Sequence, residues 1–503
     1  MNLRRTTPHL IRRNRGTVAR LWRAAMLATG AAWSIRAVRR GFLGVALATL
    51  GGLSPAYLPP DSPWWIVLEP IGANTELGRG VATILVMVGL ALLVDAWFRL
   101  RPEGRMPVSY SAVLALWSAP MVLAPPIYSR DAYSYAAQGW MVHNDVSPYQ
   151  VGPGALPGPF ADPVERVWLH TPAPYGPLSL QIQHFLVDLT GHNAYWAAVA
   201  MRLPALLGVA LLAAFFPLLM RQLRLPVAPA SWFVLLNPLV LLHFVGGAHN
   251  DALMLGLVVA GLWCGTGRHY WWGLMLVGVA SAIKQPAALA AVAIVLLSIP
   301  GLRRNWSNWG LILREMLIGA LVAGGTFAGV SLLTGLGFGW FNAVNVPGMV
   351  PTIAPTTMAA EGVKNILIGF GLYEYTGRIT LIFRVVGMVF TVGLIGWFGI
   401  RIALRRPLRF LSWSYLAFAL GGPALHVWYL MWGGLLLPMS EPSSKLVRLS
   451  VWVTVGLVVY TGGNVALRND SLAVGLVAVI GIAAVALWHD RRLMRSGMLP
   501  SSG

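Results

Sequence analysis

The chain has few charged residues and a single cysteine. Asp, Glu, Lys and Arg make up 11% of its 503 residues and hydrophobic residues 57%. Soluble domains carry about 25% charged residues, so this composition excludes an ordinary soluble protein. Because Cys264 has no second cysteine to pair with, an intramolecular disulfide and a cysteine-based metal site are excluded as well. Cys264 lies in a predicted membrane segment, where a free thiol packs as a small apolar side chain.

Acidic residues are especially scarce. The chain has 17 Asp and Glu against 37 Lys and Arg, a net charge of +20. In a soluble protein this excess would suggest nucleic-acid binding. In a chain this apolar, positive charge instead marks the cytoplasmic ends of membrane segments. We therefore predict membrane lipids, and no nucleic acid, as partners.

Long uncharged runs predict an all-α polytopic membrane protein. Residues 225–250 and 316–360 contain no Asp, Glu, Lys or Arg, and a regular membrane helix needs about 17–25 apolar residues. We predict about fourteen membrane segments, several of them short: 41–57, 80–98, 108–127, 196–220, 231–247, 252–266, 271–283, 287–300, 311–334, 379–400, 410–423, 427–438, 447–463 and 472–488.

The basic residues also predict an orientation for these segments in the plasma membrane. With both termini in the cytoplasm, 28 of the 37 Lys and Arg fall on the cytoplasmic side. Twelve of the 17 Asp and Glu then fall outside. Basic loops stay in the cytoplasm when membrane proteins insert, so the bias favours this orientation over its reverse.

The sequence divides into three parts. Residues 1–40 hold ten Arg and no acid, and we predict a disordered cytoplasmic segment that touches anionic lipids. Residues 41–490 form one membrane domain, and 491–503 form a cytoplasmic tail. Two long loops, at about 128–195 and 335–378, are predicted on the outer face.

The first outer loop is the least membrane-like part of the domain. Eight prolines between Pro148 and Pro177 make its middle irregular. Helical pieces are predicted on either side, at about 131–143 and 176–190. The second piece is amphipathic, and we expect it to lie in the membrane interface rather than to span.

Asp131 opens this loop, a few residues after the third predicted segment. A carboxylate at the membrane boundary can act as a general base on a hydroxyl group. It can equally serve as the N-cap of the helix that follows, and the sequence does not separate these roles. Tyr133 and Tyr135 offer rings and hydroxyls to a sugar.

Two further polar groups fall at predicted outer ends of membrane segments. His249, Asn250 and Asp251 could bind sugar hydroxyls or assist the base, or they could cap the helix that starts at Ala252. His426 and Tyr429 follow a glycine–proline break. They could line a sugar pocket, or they could belong to an aromatic belt.

Two basic residues on the outer side are candidates for binding a lipid phosphate. Lys284 is the only charged residue between Arg268 and Arg303, and a cation in an apolar stretch normally has an anionic partner. Pro286 breaks the helix beside it and frees backbone groups. Arg202 opens the fourth segment. The alternatives are a snorkelling lysine and an arginine paired with a loop carboxylate.

Three segments together resemble a known family: Ser129-Arg130-Asp131-Ala132-Tyr133-Ser134-Tyr135, Gly247-Ala248-His249-Asn250-Asp251-Ala252 and Lys284-Gln285-Pro286. They are similar to the polyprenol-phosphate-mannose-dependent α-1,6-mannosyltransferases of mycobacteria and corynebacteria, and most like the B-type. These enzymes belong to the GT-C glycosyltransferases. The resemblance covers roughly residues 100–440.

The resemblance implies a fold, substrates and a mechanism. The fold is GT-C, the donor polyprenyl-phospho-mannose, and the acceptor an α-1,6-mannan on a phosphatidylinositol-type glycolipid of the lipomannan pathway. Asp131 is implied as the base of an inverting transfer on the outer face. Many GT-C enzymes carry two adjacent acids here, whereas this chain has Ala132 and Tyr133 at the second place. With no convincing ligand cluster in the sequence, we predict no metal and no other cofactor.

Two other functions remain open. A secondary transporter would also use broken helices and an intramembrane lysine, but it would show inverted repeats, which the sequence lacks. Another GT-C enzyme, an arabinofuranosyl- or protein O-mannosyltransferase, shares the general pattern.

Overall fold

The computed structural model describes residues 7–103, 106–299, 308–341 and 352–495. Within these ranges the chain folds into helices and connecting loops, without a β-strand. The predicted all-α fold is therefore confirmed. Ten residues of the second predicted outer loop, 342–351, lie outside the described ranges, as do the first six and the last eight residues of the chain.

Six helices in the described residues are long and apolar enough to cross a membrane. A seventh crossing is possible where two shorter helices, Val227–Leu235 and Val240–Gly246, meet at an angle of 51°. The polytopic prediction is confirmed, while the number fourteen stays a prediction. The six are Glu76–Arg99, Ala194–Gln222, Trp309–Leu333, Tyr373–Ala403, Ser444–Arg468 and Leu472–Arg491.

Shorter helices fill the rest of the domain. Four are apolar and fall where short membrane segments were predicted: Asp251–Thr266, Tyr270–Ile283, Gln285–Ser298 and Val427–Ser440. The other α-helices are Thr7–Ser34, Arg36–Gly52, Trp65–Leu68, Tyr110–Ser118, Asp131–His143, Arg166–Leu169, Pro177–Leu189, Pro355–Gly369 and Pro407–Gly421.

Comparison with the sequence predictions gives two corrections and two confirmations. Disorder was predicted for residues 1–40, whereas helix begins at Thr7 and the second helix starts at Arg36. The Pro355–Gly369 helix was not predicted; Pro355 stands in its first turn, where a proline costs no hydrogen bond. The two helical pieces of the first outer loop are confirmed as Asp131–His143 and Pro177–Leu189.

Large apolar side chains cover the outside of the bundle. Leu317 and Leu321 on one membrane-length helix are 60% and 65% exposed, and Val389 on the next is 67% exposed. Water-soluble proteins rarely expose contiguous apolar surface of this kind. A lipid bilayer is the environment in which such an apolar surface is stable.

Glycines bring together the helices that position the polar centre of the molecule. A Cβ on Gly256 would lie 2.4 Å from the carbonyl oxygen of Gly208, and one on Gly139 would lie 2.5 Å from that of Gln183. Close approach through small residues is the usual way in which membrane helices pack. The first contact fixes the helix that begins at Asp251, and the second fixes the helix that begins at Asp131.

Ion pairs join residues that the predicted topology places on the same side of the membrane. On the predicted outer side, Arg468 lies 2.7 Å from Glu165 and Arg79 lies 2.9 Å from Asp470. On the predicted cytoplasmic side, Asp95 pairs with Arg40, Arg99 and His489, and Arg448 pairs with Asp490. The grouping of loops into two faces is thus consistent with the fold.

Which face is outside can be tested by labelling. Cysteines at the exposed positions Gln150 and Lys445, in a Cys264→Ser background, lie on opposite predicted faces. We expect an impermeant maleimide to label position 150 in intact cells and position 445 only after permeabilisation, because basic loops stay in the cytoplasm. The opposite labelling pattern would reverse the orientation.

Candidate active site

The Asp131 carboxylate is buried at the start of the first outer-loop helix. The helix begins at this residue, and Asp131 is 8% exposed. Its backbone N–H donates to the hydroxyl of Ser129 at 3.1 Å. The cap position itself belongs to Arg130, so the N-cap interpretation of Asp131 is wrong. The carboxylate instead faces a second polar segment, with Oδ2 lying 3.6 Å from Nε2 of His249.

The hydrogen bonds of His249 fix which ring nitrogen can exchange a proton with Asp131. His249 is fully buried, and its Nδ1 lies 2.7 Å from the backbone carbonyl oxygen of His243. A carbonyl can only accept, so Nδ1 carries a hydrogen and donates it. Nε2, which faces Asp131, is therefore the nitrogen that gains or loses the second proton.

Neighbouring groups hold Asp131 in its ionised form. Burial raises the pKa of this carboxyl, but the imidazoles of His249 and His426 and the hydroxyl of Ser129 outweigh burial and lower it below its usual range. Burial lowers the pKa of His426 to about 4, against the opposing effect of Asp131. At neutral pH the site therefore offers an ionised carboxylate beside an uncharged His426 ring.

Aromatic rings build a wall next to the carboxylate. The ring of Trp428 stacks between two histidines, with centroids 3.7 Å from His249 and 4.6 Å from His426. Tyr429 packs edge-on against His426 at 5.1 Å. Flat rings of this kind offer faces on which a sugar can lie. The structure thus brings His426 and Tyr429 together with His249, as the sugar-pocket prediction requires.

Lys284 occupies a break between two helices. One helix ends at Ile283, Lys284 has extended backbone, and a short turn starts at Gln285 with Pro286 in it. The break frees the carbonyl of Ile283, which accepts a hydrogen bond from the N–H of Gly176 at 3.0 Å. The predicted helix break is confirmed. It docks the first outer loop against the membrane helices.

The partner of Lys284 is a carboxylate of the protein. Its Nζ donates to Oδ1 of Asp251 at 2.8 Å, and the indole N–H of Trp432 donates to the same oxygen at 2.7 Å. Asp251 is fully buried. The ammonium also lies over the ring of Tyr429, 4.4 Å from its centroid. The argument that Lys284 needs a phosphate because it lacks an anion is therefore wrong, although this bond uses only one of its three N–H donors.

Arg202 is a structural residue. Its side chain is 1% exposed and donates to five backbone carbonyls. All five guanidinium N–H groups are used in this way, which leaves none for a lipid phosphate or a loop carboxylate. The phosphate-binding prediction for Arg202 is thus corrected. The carbonyls belong to Val122, Ala124, Pro125, Val245 and Gly246.

Replacing Arg202 by Lys should lower stability without changing donor affinity. Lysine supplies three N–H donors in place of five, so at least two buried carbonyls lose their partner, at about 1–3 kcal/mol each. We expect a lower thermal unfolding temperature and an unchanged KM for the donor. Arg221→Lys, an exposed position at the end of the same helix, is the control. A raised KM at unchanged stability would restore the phosphate role.

The remaining predicted residues separate into two groups. Tyr135 lies one helical turn after Asp131, on the same helix face, and packs edge-on against Tyr175 at 5.2 Å. Asn250 lies near Tyr135, where its amide donates to the hydroxyl of Ser179 at 3.1 Å. Tyr133 is buried on another face, near Tyr195. The structure does not bring Tyr133 to the carboxylate.

Sequence reasoning missed two aromatic members of the site, Trp432 and Tyr175, and included Trp428 only as part of the segment from His426 to Tyr429. Trp428 and Trp432 belong to a chain with 22 tryptophans, and nothing in the sequence distinguishes them from membrane-belt residues. Tyr175 lies in the proline-rich stretch, where its ring centroid is 5.6 Å from Nζ of Lys284. The sequence signal that could have identified Tyr175 was its position directly before Gly176. A glycine there allows the close approach, since a Cβ would lie 2.2 Å from the carbonyl oxygen of Ala282.

Comparison with known proteins identifies relatives for most of the chain. Residues 38–300 match the family described as alpha-(1→6)-mannopyranosyltransferase, N-terminal domain. The alpha-(1→6)-mannopyranosyltransferase A of Mycobacterium tuberculosis is 32% identical over 436 residues, 83% of each chain. A second enzyme of that name from the same organism is 29% identical, over 90% of this chain and 86% of the relative.

The relatives include both types of this enzyme. The alpha-(1→6)-mannopyranosyltransferase B of Corynebacterium glutamicum is 25% identical over 90% of this chain and 81% of its own. Since A- and B-type enzymes both match, the closer likeness to the B-type stays a prediction.

Proposed function

We propose, because the chain belongs to the alpha-(1→6)-mannopyranosyltransferase family, that it transfers mannose from polyprenyl-phospho-mannose to the 6-hydroxyl of a growing α-1,6-mannan. The acceptor is a lipid-anchored glycan of the phosphatidylinositol mannoside and lipomannan type. The reaction takes place at the outer face of the plasma membrane. The observation that carries the proposal is the buried, ionised Asp131 next to an aromatic wall.

Asp131 acts as the general base in this reaction. The 6-hydroxyl oxygen of the acceptor attacks the anomeric carbon of the donor mannose, and its proton passes to the Asp131 carboxylate. The bond between the anomeric carbon and the phosphate oxygen breaks, and the phosphate takes the electron pair. Attack opposite the phosphate converts a β-linked donor into an α-linked product. His249 Nε2, 3.6 Å from the carboxylate, supports the ionised form of Asp131 that takes the proton.

The leaving polyprenyl phosphate is an anion and needs no acid to depart. Its charge needs a cation nearby, and Lys284 is the cation of the site that still has N–H donors to offer. Asp251 accepts a hydrogen bond from the lysine and is itself held by the indole N–H of Trp432. The ammonium therefore has a second role in this proposal: it orients toward the phosphate while it neutralises Asp251.

An apolar cavity supports a lipid-linked donor. It measures about 350 Å³ and is lined by side chains including Trp413, Leu430, Met431 and Leu435. Leu430 and Met431 directly follow Tyr429, which contacts Lys284. The cavity is thus lined by another face of the helix that carries Tyr429, and an isoprenoid chain is the kind of molecule that fits its lining.

A transfer assay tests the proposal. Purified protein in nanodiscs is supplied with radiolabelled polyprenyl-phospho-mannose and a synthetic α-1,6-oligomannoside. We expect an α-1,6-linked product that still forms in excess EDTA, because Asp131 lacks the adjacent second acid of a metal-binding pair. Loss of turnover that only Mg²⁺ or Mn²⁺ restores would contradict the metal-free mechanism.

The same assay separates the other candidate functions. A product only from a polyprenyl-phospho-arabinofuranose donor, or only with a peptide acceptor, would identify another glycosyltransferase. Movement of the labelled lipid between leaflets without a new glycosidic bond would identify a transporter.

A further inference from the structure

A second polar cluster lies at the far end of the Asp131–His143 helix. Asp188 of the Pro177–Leu189 helix is surrounded by three histidines: His184 and His192, each four residues away, and His143 from the other helix. Its Oδ1 lies 2.9 Å from Nδ1 of His143 and 3.2 Å from Nε2 of His192, and its Oδ2 lies 3.3 Å from Nε2 of His184. The cluster takes no part in the proposed transfer. Twelve residues at 1.5 Å each place it about 18 Å from Asp131 along the helix.

The spacing of these atoms fits a tetrahedral metal site. Zinc binds histidine nitrogen and carboxylate oxygen at about 2.0–2.2 Å, so two ligand atoms of one tetrahedral site stand about 3.3 Å apart. Oδ1 of Asp188 lies 2.9 Å from His143 and its other oxygen, Oδ2, lies 3.3 Å from His184, so each histidine is close to one oxygen of the carboxylate. The three ligand atoms all lie within 4.8 Å of one another.

The hydrogen bonds behind His184 select the tautomer that a metal requires. The amide nitrogen of Gln181 donates to the carbonyl of Thr334 at 2.6 Å, which fixes Oε1 of Gln181 toward Nδ1 of His184, 3.2 Å away. An amide oxygen only accepts, so the hydrogen of the neutral ring is on Nδ1. Nε2 then points its lone pair at the Asp188 carboxylate. Two lone pairs facing each other need a cation between them, either a proton or a metal ion.

The helices hold the cluster in a fixed arrangement that solvent can reach. Gly139 lets the two helices touch one turn before His143. The ring of Trp140 stacks on His143 at 5.0 Å and on Phe160 at 4.9 Å. The side chains of His143, His184 and Asp188 are 32%, 28% and 45% exposed. An ion can therefore enter without unfolding the loop.

We propose that His143, His184 and Asp188 bind a zinc-class divalent metal ion, with His192 holding the Asp188 carboxylate in place. Three protein ligands leave one tetrahedral position for water. The ion joins the end of the helix that carries Asp131 to the helix that docks on the membrane domain. Its role is to fix the outer loop, and no step of mannose transfer passes through it.

Metal binding is tested on the full-length, tag-free protein in detergent, without measuring activity. After chelator treatment and dialysis, Zn²⁺ binding is followed by calorimetry, and Co²⁺ is used as a spectroscopic probe. We expect one Zn²⁺ per chain, a tetrahedral Co²⁺ absorption band and a higher thermal unfolding temperature with Zn²⁺. Absence of stoichiometric Zn²⁺ binding to the unmodified protein would overturn the proposal, and the cation between His184 and Asp188 would then be a proton.

Variants locate the site. His184→Ala and Asp188→Asn should abolish one-to-one Zn²⁺ binding, whereas His269→Ala, an exposed histidine elsewhere, should leave it unchanged. Gln181→Leu leaves all three ligands in place but removes the hydrogen bond that orients His184. We expect about 10–100-fold weaker binding, as for other outer-shell partners. Unchanged Zn²⁺ affinity in both His184→Ala and Asp188→Asn would place the ion elsewhere and overturn the assignment.

Discussion

Replacing Asp131 by Asn should reduce the rate of mannose transfer by roughly 10²–10⁴-fold, the usual contribution of a general base. The amide keeps the size of the side chain but cannot take the proton of the acceptor hydroxyl. Donor binding should survive, because Asp131 acts on the acceptor. The measurement is single-turnover transfer in nanodiscs, together with donor binding and thermal unfolding.

The control is Asp145→Asn, which alters an exposed carboxylate just after the same helix. It should transfer mannose at the normal rate. Near-normal turnover by Asp131→Asn would falsify the assignment of the base. His249→Ala should slow transfer less than Asp131→Asn, since His249 is proposed only to support the ionised carboxylate.

Removing Lys284 should destabilise the protein strongly. Lys284→Met leaves the Asp251 charge buried without its ion-pair partner, and breaking a buried pair in this way costs about 3–5 kcal/mol. Both residues are at most 5% exposed. Lys364→Met is the matched control, because Lys364 forms its 2.7 Å pair with Glu361 on the surface, where such pairs contribute about 0–1 kcal/mol.

A double variant separates the two roles proposed for Lys284. Lys284→Met with Asp251→Asn removes both charges and should recover much of the lost thermal stability. Donor affinity should remain low in the double variant, because the lysine proposed to bind the donor phosphate is still missing. The single variant Lys284→Arg should retain part of the donor affinity. If the double variant binds polyprenyl-phospho-mannose as tightly as the unmodified protein, the lysine only neutralises Asp251 and the phosphate binds elsewhere.

Local features of the site could be predicted from the sequence, whereas long-range pairings could not. The Asp131–His143 helix and the break at Pro286 follow from composition and proline chemistry, which act over a few residues. Asp251, the partner of Lys284, lies 33 residues away along the chain. Only the packing of the membrane helices brings them together. The sequence therefore suggested that Lys284 lacks an anionic partner within the protein, and this interpretation was wrong.

Arg202 and the histidine cluster also depend on long-range contacts that could not be predicted from the sequence. The carbonyls that Arg202 contacts come from two separate helix ends, and backbone acceptors leave no trace in a sequence. The cluster joins His143 to residues more than forty positions later, so the sequence showed the i, i+4 spacing of His184 and Asp188 but not the third ligand. The Pro355–Gly369 helix was missed for a simpler reason: its uncharged, proline-rich surroundings are typical of a loop.

The hydrogen bond between Gly176 and Ile283 has a consequence for the rigidity of the candidate active site. It ties the segment that contains Tyr175 to the helix break that contains Lys284, so the two sides of the reaction chamber move as one body. Lifting that segment away would expose a buried backbone bond in a place with little water to replace it. In the proposed transfer, donor and acceptor would therefore meet in a site whose two sides stay together.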